Sequence, residues 1–325
     1  MTRPSRFAGL WPFLAIGALL LALAGRVGRV PLLFDAFSVL LLHVAAGALL
    51  LTLVALARRR LRMAAVTLIA ALIAASGAPE AFRSPDRPAP QGADMPLRVV
   101  SANLFYDNAA VPELAAALDV LAADIMVTVE TPTALWAAPG PLADRFAHRQ
   151  FAAAPGRGGI AIWSRFPLRR VHAGGNPRHL IVEVAAAPGA APLRIMGLHL
   201  DWPVLGGQSQ IYSDFNRFWR QLKGPTIVAG DFNAAPWSAM VARVESIAEA
   251  RVIDGWRPSW FGGVGGRAGR FFVPGGLPID HILTPPEMGV RAAALHVVPG
   301  SDHRAVAADL LIPARLIAPP PNDGG

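Results

Sequence analysis

Three apolar stretches lead the chain, Phe7 to Ala24, Pro31 to Ala57 and Leu61 to Gly77, and they decide what its beginning can be. A helix crosses the hydrocarbon core of a bilayer in about 20 residues. Each stretch is close to that length, the third being the shortest. Arg3 and Arg6 ahead of the first, with small residues at Ala24 and Gly25, also fit a cleaved signal peptide. Two further apolar stretches follow at once, which favours a retained three-helix transmembrane anchor over residues 1–77. Arg58, Arg59, Arg60 and Arg62 form the densest arginine cluster, between the second and third stretches, and mark the cytoplasmic side against Arg26 and Arg29. The N-terminus is then inside and everything after Gly77 outside. In a bacterium this is a multi-pass protein of the inner membrane with its larger part in the periplasm or cell exterior.

Beyond residue 94 carboxylates and histidines gather, so the two parts of the chain belong to different solvents. The net charge of +8 divides accordingly. Residues 1–94 carry ten arginines against Asp35, Glu80, Asp86 and Asp94, a surplus of +6, and the remainder only +2. The basic excess therefore accompanies the apolar stretches and is not a footprint for polyphosphate. With no cysteine, disulfide frameworks, zinc–thiolate sites and cysteine nucleophiles are excluded. Asp35 reads as interfacial and His43 as a packed polar residue.

Residues 78–96 are rich in proline without apolar periodicity and read as an extended linker. From Leu97, short apolar runs alternate with amphipathic stretches. Strands are predicted at Leu97–Phe105, Ile125–Glu130, Gly159–Ser164, Leu180–Ala185, Leu193–Leu200, Thr226–Asp231, Ile279–Leu283 and Ala305–Leu311. Helices are predicted at Pro112–Ala123, Gly207–Leu222 and Ser238–Ala250. Strands outnumber helices and often follow one another directly, so the α/β domain over 97–312 is expected to be two mixed sheets packed face to face with helices outside. Residues 313–325 read as a disordered tail.

Polar residues interrupt the ends of these buried strands. Asn103 ends the first, Glu130 the second, and His199 ends LRIMGLHL. Asp231 and Asn233 end TIVAGDFN, Asp280 lies in PIDHIL, and Asp302 and His303 precede RAVAADLL. A charge at the end of an apolar strand is costly unless it is paired, metal-bound or exposed in a cleft, so several converging on one edge imply a site. Asp and Glu oxygens with an Asn carbonyl form a hard ligand set suited to Mg²⁺ or Mn²⁺ rather than zinc. A histidine beside a carboxylate can take a proton from water. Together these favour phosphate ester hydrolysis.

The motifs SANLF around Asn103, VTVETP around Glu130, GIAIWSRFPL from Gly159, HLDWP from His199, AGDFNAAP from Ala229, PIDHIL around Asp280 and GSDHRAV from Gly300 occur in that order. The series resembles the endonuclease/exonuclease/phosphatase superfamily, which includes DNase-like nucleases, sphingomyelinases and inositol phosphatases, over Leu97 to Ile312. The resemblance implies a DNase-like four-layer sandwich and a divalent-metal-dependent phosphoesterase without a covalent intermediate. It implies Glu130 as principal metal ligand, with Asn103 and Asp302 completing or supporting the shell. Asp280 would orient His303 to position or deprotonate water, and Asp231 would handle a proton at the nucleophile or leaving group. Asn233 would bind a phosphate oxygen, and His199 would stabilise the phosphate or protonate the leaving oxygen. The expected partners are the lipid bilayer and a phosphate ester, either nucleic acid or a lipid or small ester. Two departures stand out: Val129 precedes Glu130 where the family usually has Gln, and no secure match exists for a phosphate-contacting tyrosine among Tyr106 and Tyr212.

Other polar residues have simpler explanations. Asp201 could face the cleft by strand alternation but reads as a turn residue before Trp202-Pro203, Arg178 and His179 precede a strand and either contact phosphate or are solvated, and His281 reads as structural. His148, His172 and His296 have no motif context. The glycine-rich run Gly262 to Gly269 lacks the Lys and Ser or Thr of a phosphate loop. Core packing or contact with the membrane interface accounts for Trp202, Trp219, Trp237, Trp256 and Trp260. A catalytically inert, membrane-anchored binding or scaffold protein with the same fold is the alternative, and the intact water-activating set argues against it. Three short spans with hardly any internal charge argue against a transporter.

Overall fold

The computed structural model describes residues 10–27, 35–89, 93–173, 178–186, 190–203, 207–219, 224–264 and 271–318. Helices α1 (Leu10–Val27), α2 (Asp35–Ser38), α3 (Leu41–Ala57) and α4 (Leu61–Ala75) come first. They pack through small side chains, Ala22, Ala48, Ala55, Ala70 and Ala74 being fully or nearly fully buried, which lets the backbones approach closely. Thr52 and Thr67 join α3 to α4 by a 2.8 Å hydroxyl pair. Leu50, Leu53, Leu72 and Phe13 face outward and exposed. Among the described residues only α1 is long and apolar enough to cross a membrane alone, α3 and α4 having 17 and 15 residues. Residues 1–9 and 28–34, which hold Arg3, Arg6 and Arg29, lie outside the described residues.

The remaining strands are β1 (Ala93–Asn103), β2 (Ile125–Val129), β3 (His148–Ala153), β4 (Gly159–Ser164), β5 (Leu168–Ala173), β6 (His179–Val184) and β7 (Leu193–His199). They continue with β8 (Thr226–Asp231), β9 (Arg251–Val252), β10 (Gly263–Val264), β11 (Phe271–Phe272), β12 (Asp280–Thr284), β13 (Gly289–Val297) and β14 (Arg304–Pro313). The helices are α5 (Val111–Val120), α6 (Thr133–Ala137), α7 (Leu142–Arg145), α8 (Gly207–Trp219) and α9 (Ala239–Ala248). One sheet has the order β13-β14-β1-β2-β4-β3 and the other β5-β6-β7-β8-β12-β9. Each is mixed, with one parallel pair, β1 with β2 and β7 with β8.

Period-two alternation builds the layers. Leu97 and Val99 of β1 meet Ile227 and Ala229 of β8 between the sheets. Val100 and Ala102 face the other way, against Leu114 and Leu118 of α5. Val228 faces Met240 and Val244 of α9. Two mixed sheets flanked by helices are thus the expected sandwich.

Two boundaries differ from expectation. The stretch predicted as an extended linker is docked: Pro79–Phe82 forms a 3-10 turn, Gly255 N–H donates to Glu80 O at 2.7 Å, and Arg87 and Val290 exchange two 2.9 Å backbone bonds. The Arg87 guanidinium also reaches Thr284 Oγ1 at 3.0 Å. Such docking runs through backbone groups, which leave no hydrophobic period to read. The tail begins later than residue 313, because β14 runs to Pro313, Ala314–Leu316 forms a 3-10 turn, and Leu316 and Ile317 pack on the inter-sheet core. Residues 319–325 lie outside the described residues.

Candidate active site

Strand register assembles the site. In the second sheet His199 of β7 lies opposite Asp231 of β8, and Asp231 opposite Asp280 of β12. In the first, Asn103 at the end of β1 pairs with Val129, one residue before Glu130. The row continues in β14's approach, where Asp302 and His303 precede Arg304. Gly230 makes the β7–β8 approach possible: at its φ of +147° a Cβ would stand 1.9 Å from Leu198 O. Glu130 and Asn233 have φ of 49° and 46°, a left-handed backbone uncommon outside glycine and concentrated at functional sites.

These side chains converge on a cleft of about 550 Å³ lined by Asn103, Glu130, His199, Asp231, Asn233, Asp302 and His303. Asp280 sits beneath them, its Oδ2 accepting from His303 Nδ1 at 2.8 Å. Asn103 Nδ2 donates to Asp231 Oδ2 at 3.0 Å and to Glu130 Oε1 at 3.3 Å, while its oxygen accepts from Phe105 N–H. Asn103 therefore bridges two carboxylates as placed, with its amide nitrogen toward them. Asn233 N–H donates to Asp231 Oδ1 at 2.8 Å, and one amide hydrogen of Asn233 goes to Leu200 O at 2.7 Å, leaving the second available. Another depression, of about 660 Å³, lies between Thr226 and Glu245, and none of the site residues reaches it.

Burial, then the neighbouring Asp280 charge, push the Asp231 carboxyl well above the usual carboxylate range. For His303 burial alone would lower the pKa, but the charge and hydrogen bond of Asp280, with Asp231 and Asp302, outweigh it and raise the imidazole to about 9. His199 goes the other way, to about 3, through burial and then the Arg178 charge. It is neutral at ordinary pH. Arg178 Nη1 stands 3.4 Å from His199 Nδ1, and a guanidinium only donates, so Nδ1 accepts and the proton sits on Nε2. That nitrogen faces Glu130 Oε1 at 3.6 Å and Asp231 Oδ2 at 3.9 Å, contacts between a neutral ring and carboxylates rather than ion pairs.

The donor set fits a hard divalent cation. Asp231, Asp280 and His303 present ligand-type atoms within 4.8 Å of one another, and Asp280 Oδ1 is buried without a hydrogen-bond partner among the described residues. Glu130 and the half-exposed Asp302 add carboxylates at the cleft wall. So much buried negative charge, which already draws protons onto Asp231 and His303, is what a cation would neutralise.

Residues read from sequence as incidental also belong here. Arg178 is nearly buried and its Nη2 donates to Asp201; antiparallel pairing of β6 with β7 sets it beside His199, whose N–H donates to Arg178 O at 2.8 Å. Arg157 stands 3.5 Å from the same Asp201. Two guanidiniums share one carboxylate, which leaves positive charge in the cleft. The sequence signal was spacing: Asp201 lies two residues after His199, on the same face by alternation. Tyr106 lines the rim, its N–H donating to Glu130 Oε2 at 3.2 Å. Trp202 and Trp260 form an apolar wall, their rings 5.5 Å apart. His281 is structural, its Nε2 donating to Ala234 O at 2.7 Å. His179 is buried rather than solvated, stacked on His172. Of the glycine-rich run, 265–270 lie outside the described residues.

The fold recurs among solved structures. The 3′ phosphatase NExo from Neisseria, bound to product DNA hairpin, is 19% identical with a TM-score of 0.51, over 65% of this chain and 98% of that one. An endonuclease/exonuclease/phosphatase from Beutenbergia cavernae is 22% identical with a TM-score of 0.50, over 67% and 72%. The human Nocturnin catalytic domain with bound sulfate is 16% identical with a TM-score of 0.50, over 66% and 93%. At such identities the likeness concerns the fold alone. No curated protein matches the chain. Residues 100–303, a stretch that runs from inside β1 to the histidine of the cleft and makes up more than half of the chain, match the family model, and the chain belongs to the Endonuclease/Exonuclease/phosphatase family.

Proposed function

We propose that the chain is a membrane-held phosphoesterase that uses Mg²⁺ or Mn²⁺ and a His303-activated water, with no covalent intermediate. The family is one of phosphoester hydrolases. The observation that carries the finer reading is the His303–Asp280 contact of 2.8 Å at a cleft lined by carboxylates. Glu130 and Asp302, with Asn103 in support, would hold the cation. Bound there, it would supply charge that polarises a phosphoryl oxygen and would lower the His303 imidazole toward the range in which it accepts a proton.

The chain's own groups then have distinct tasks. His303, oriented by Asp280, takes a proton from the water as its oxygen bonds to phosphorus. Asp231, whose carboxyl favours the protonated form, gives its proton to the leaving oxygen as the ester bond breaks. His199 Nε2–H and the Asn233 amide donate to phosphate oxygens, and Arg178 and Arg157 add positive charge.

Membrane attachment is supported by the apolar α1 and by the leucines that α3 and α4 expose. Arg58, Arg59, Arg60 and Arg62 lie at the α3–α4 connection, whereas α2, before α3, and Glu80, after α4, contact the catalytic domain, which fits a cytoplasmic end and an extracytoplasmic catalytic domain. The substrate is a phosphate ester, and the small surplus of +2 beyond residue 94 favours a lipid or small ester over nucleic acid. The full chain in detergent should hydrolyse bis-para-nitrophenyl phosphate with Mg²⁺ or Mn²⁺ and lose most activity in EDTA. Undiminished turnover in EDTA would overturn the cation-dependent mechanism.

A further inference from the structure

The short helix α2 does more than connect α1 to α3. Asp35 Oδ1 accepts from Ala239 N–H at 2.9 Å and Oδ2 from Met240 N–H at 3.0 Å, at the start of α9. Ser38 O accepts from Trp237 Nε1 at 2.7 Å. Val39, 2% exposed, packs in one cluster with Ala235, Trp260, Leu277 and Ile279. A carboxylate pinned to helix N–H groups is stabilising both as a cap and toward the helix dipole, so the anchor is docked on the catalytic domain rather than tethered to it.

That docking reaches the cleft through Trp260. Its backbone is bridged to Leu277 on one side and His303 on the other, Phe261 N–H donates to Asp302 O at 2.9 Å, and its indole N–H donates to Asp302 Oδ2 at 2.9 Å. Gly262 leaves room for this carboxylate, since a Cβ there would stand 2.2 Å from Asp302 Oδ2. Asp302 is half-exposed, the indole N–H restrains its carboxylate, and Val39 packs in the indole's cluster from α2's side.

We propose that α2 is a positioning element of the active site, and Asp35 a positioning residue: docking of the anchor through Asp35 and Val39 holds Trp260, and Trp260 holds Asp302 in the orientation that binds the cation. The proposal rests on the reading of the cleft as a divalent-cation site. Partners that orient a metal ligand are typically worth about 10–100-fold in metal affinity.

The test uses the full chain in detergent, with Mg²⁺ binding followed by titration calorimetry and hydrolysis of bis-para-nitrophenyl phosphate followed across Mg²⁺ concentrations. Asp35→Ala should weaken Mg²⁺ binding by about tenfold and raise the half-activating Mg²⁺ concentration in step, with turnover largely recovered at saturation. Asp35→Asn, which keeps an acceptor oxygen, should lie nearer wild type. Trp260→Phe should match Asp35→Ala, and the double variant should lose no more than either alone, since both act along one path. Val39→Ala, which leaves the cap intact, carries the same expectation in smaller measure should Asp35→Ala not fold. Wild-type Mg²⁺ affinity in Asp35→Ala or Val39→Ala, or additive losses in the double variant, overturns the coupling. A wild-type chain that binds no Mg²⁺ overturns the cation site itself and the coupling with it.

Discussion

His303 Nδ1, just ahead of β14 in the first sheet, stands 2.8 Å from Asp280 Oδ2 on β12 of the second, and the other carboxylate oxygen of the fully buried Asp280 has no hydrogen-bond partner among the described residues. The carboxylate fixes the ring so that Nε2 faces the cleft, 4.0 Å from Asp231 Oδ2. Asp280 is fixed through its backbone, its N–H donating to Ser259 Oγ at 3.0 Å, and its buried carboxylate is spent on one imidazole, an arrangement for orienting a proton acceptor.

Asp280→Asn keeps the shape and removes the charge. Turnover should fall by about 100-fold or more, the range lost when positioned proton transfer fails. The melting temperature should fall at neutral pH, because the buried imidazolium that Asp280 stabilises loses its counter-charge. Rates within threefold of wild type would mean that His303 does not depend on Asp280.

Arg178 fixes the tautomer of His199 and is itself gripped by Asp201. Arg178→Gln should reduce kcat/KM by about 10–100-fold, as loss of a charged hydrogen bond to the reacting group does. Arg178→Lys should recover little of it, since a single ammonium cannot serve Asp201 and His199 in the fork geometry. Full recovery by Lys would show that only charge matters there.

Gly230 carries the register that sets His199 beside Asp231. Gly230→Ala forces a Cβ against the Leu198 carbonyl at a φ of +147°, and backbone on both sides cannot yield. The substitution should cost about 3 kcal/mol or more, or prevent folding, as read by thermal unfolding of the full chain. An unchanged midpoint would mean that β7 and β8 are spaced differently.

Much of this was legible in the sequence because it was written in patterns that survive without coordinates. Ile227, Ala229 and Val228 alternate between two cores, and Asp231 breaks that apolar run where the strand reaches the cleft. Strands such as β13, exposed along alternate and adjacent positions at Arg291 and Ala292, offer no such period and were not anticipated. For Arg178 a phosphate contact and a solvated position stayed equally open, because its value lies in a cross-strand neighbour, His199. Asp35 looked interfacial because its partners are backbone N–H groups some 200 residues away in sequence, and nothing local announces a cap supplied from another part of the chain.

His281 gives the stability of the fold a pH dependence of known sign. Burial, against the hydrogen bond to Ala234 O and the Asp280 charge, lowers its pKa from 6.5 to about 4. As pH falls below about 6.5 the unfolded chain takes up this proton first, so the unfolded state gains and stability declines. The loss is absent above the unfolded value and grows by about 1.4 kcal/mol per pH unit until the folded value is approached. By pH 4 it amounts to about 3 kcal/mol. His199, lowered to about 3, adds a loss of the same sign, so the two must be separated by comparison. His281→Gln can keep a donor to Ala234 O and cannot titrate. Melting midpoints of the full chain between pH 7 and pH 4 should therefore fall less steeply for His281→Gln than for wild type, by about one proton's worth of slope. Parallel curves would mean that His281 takes up its proton equally in the folded and unfolded chains, with the Ala234 carbonyl and Asp280 stabilising the imidazolium as much as burial opposes it.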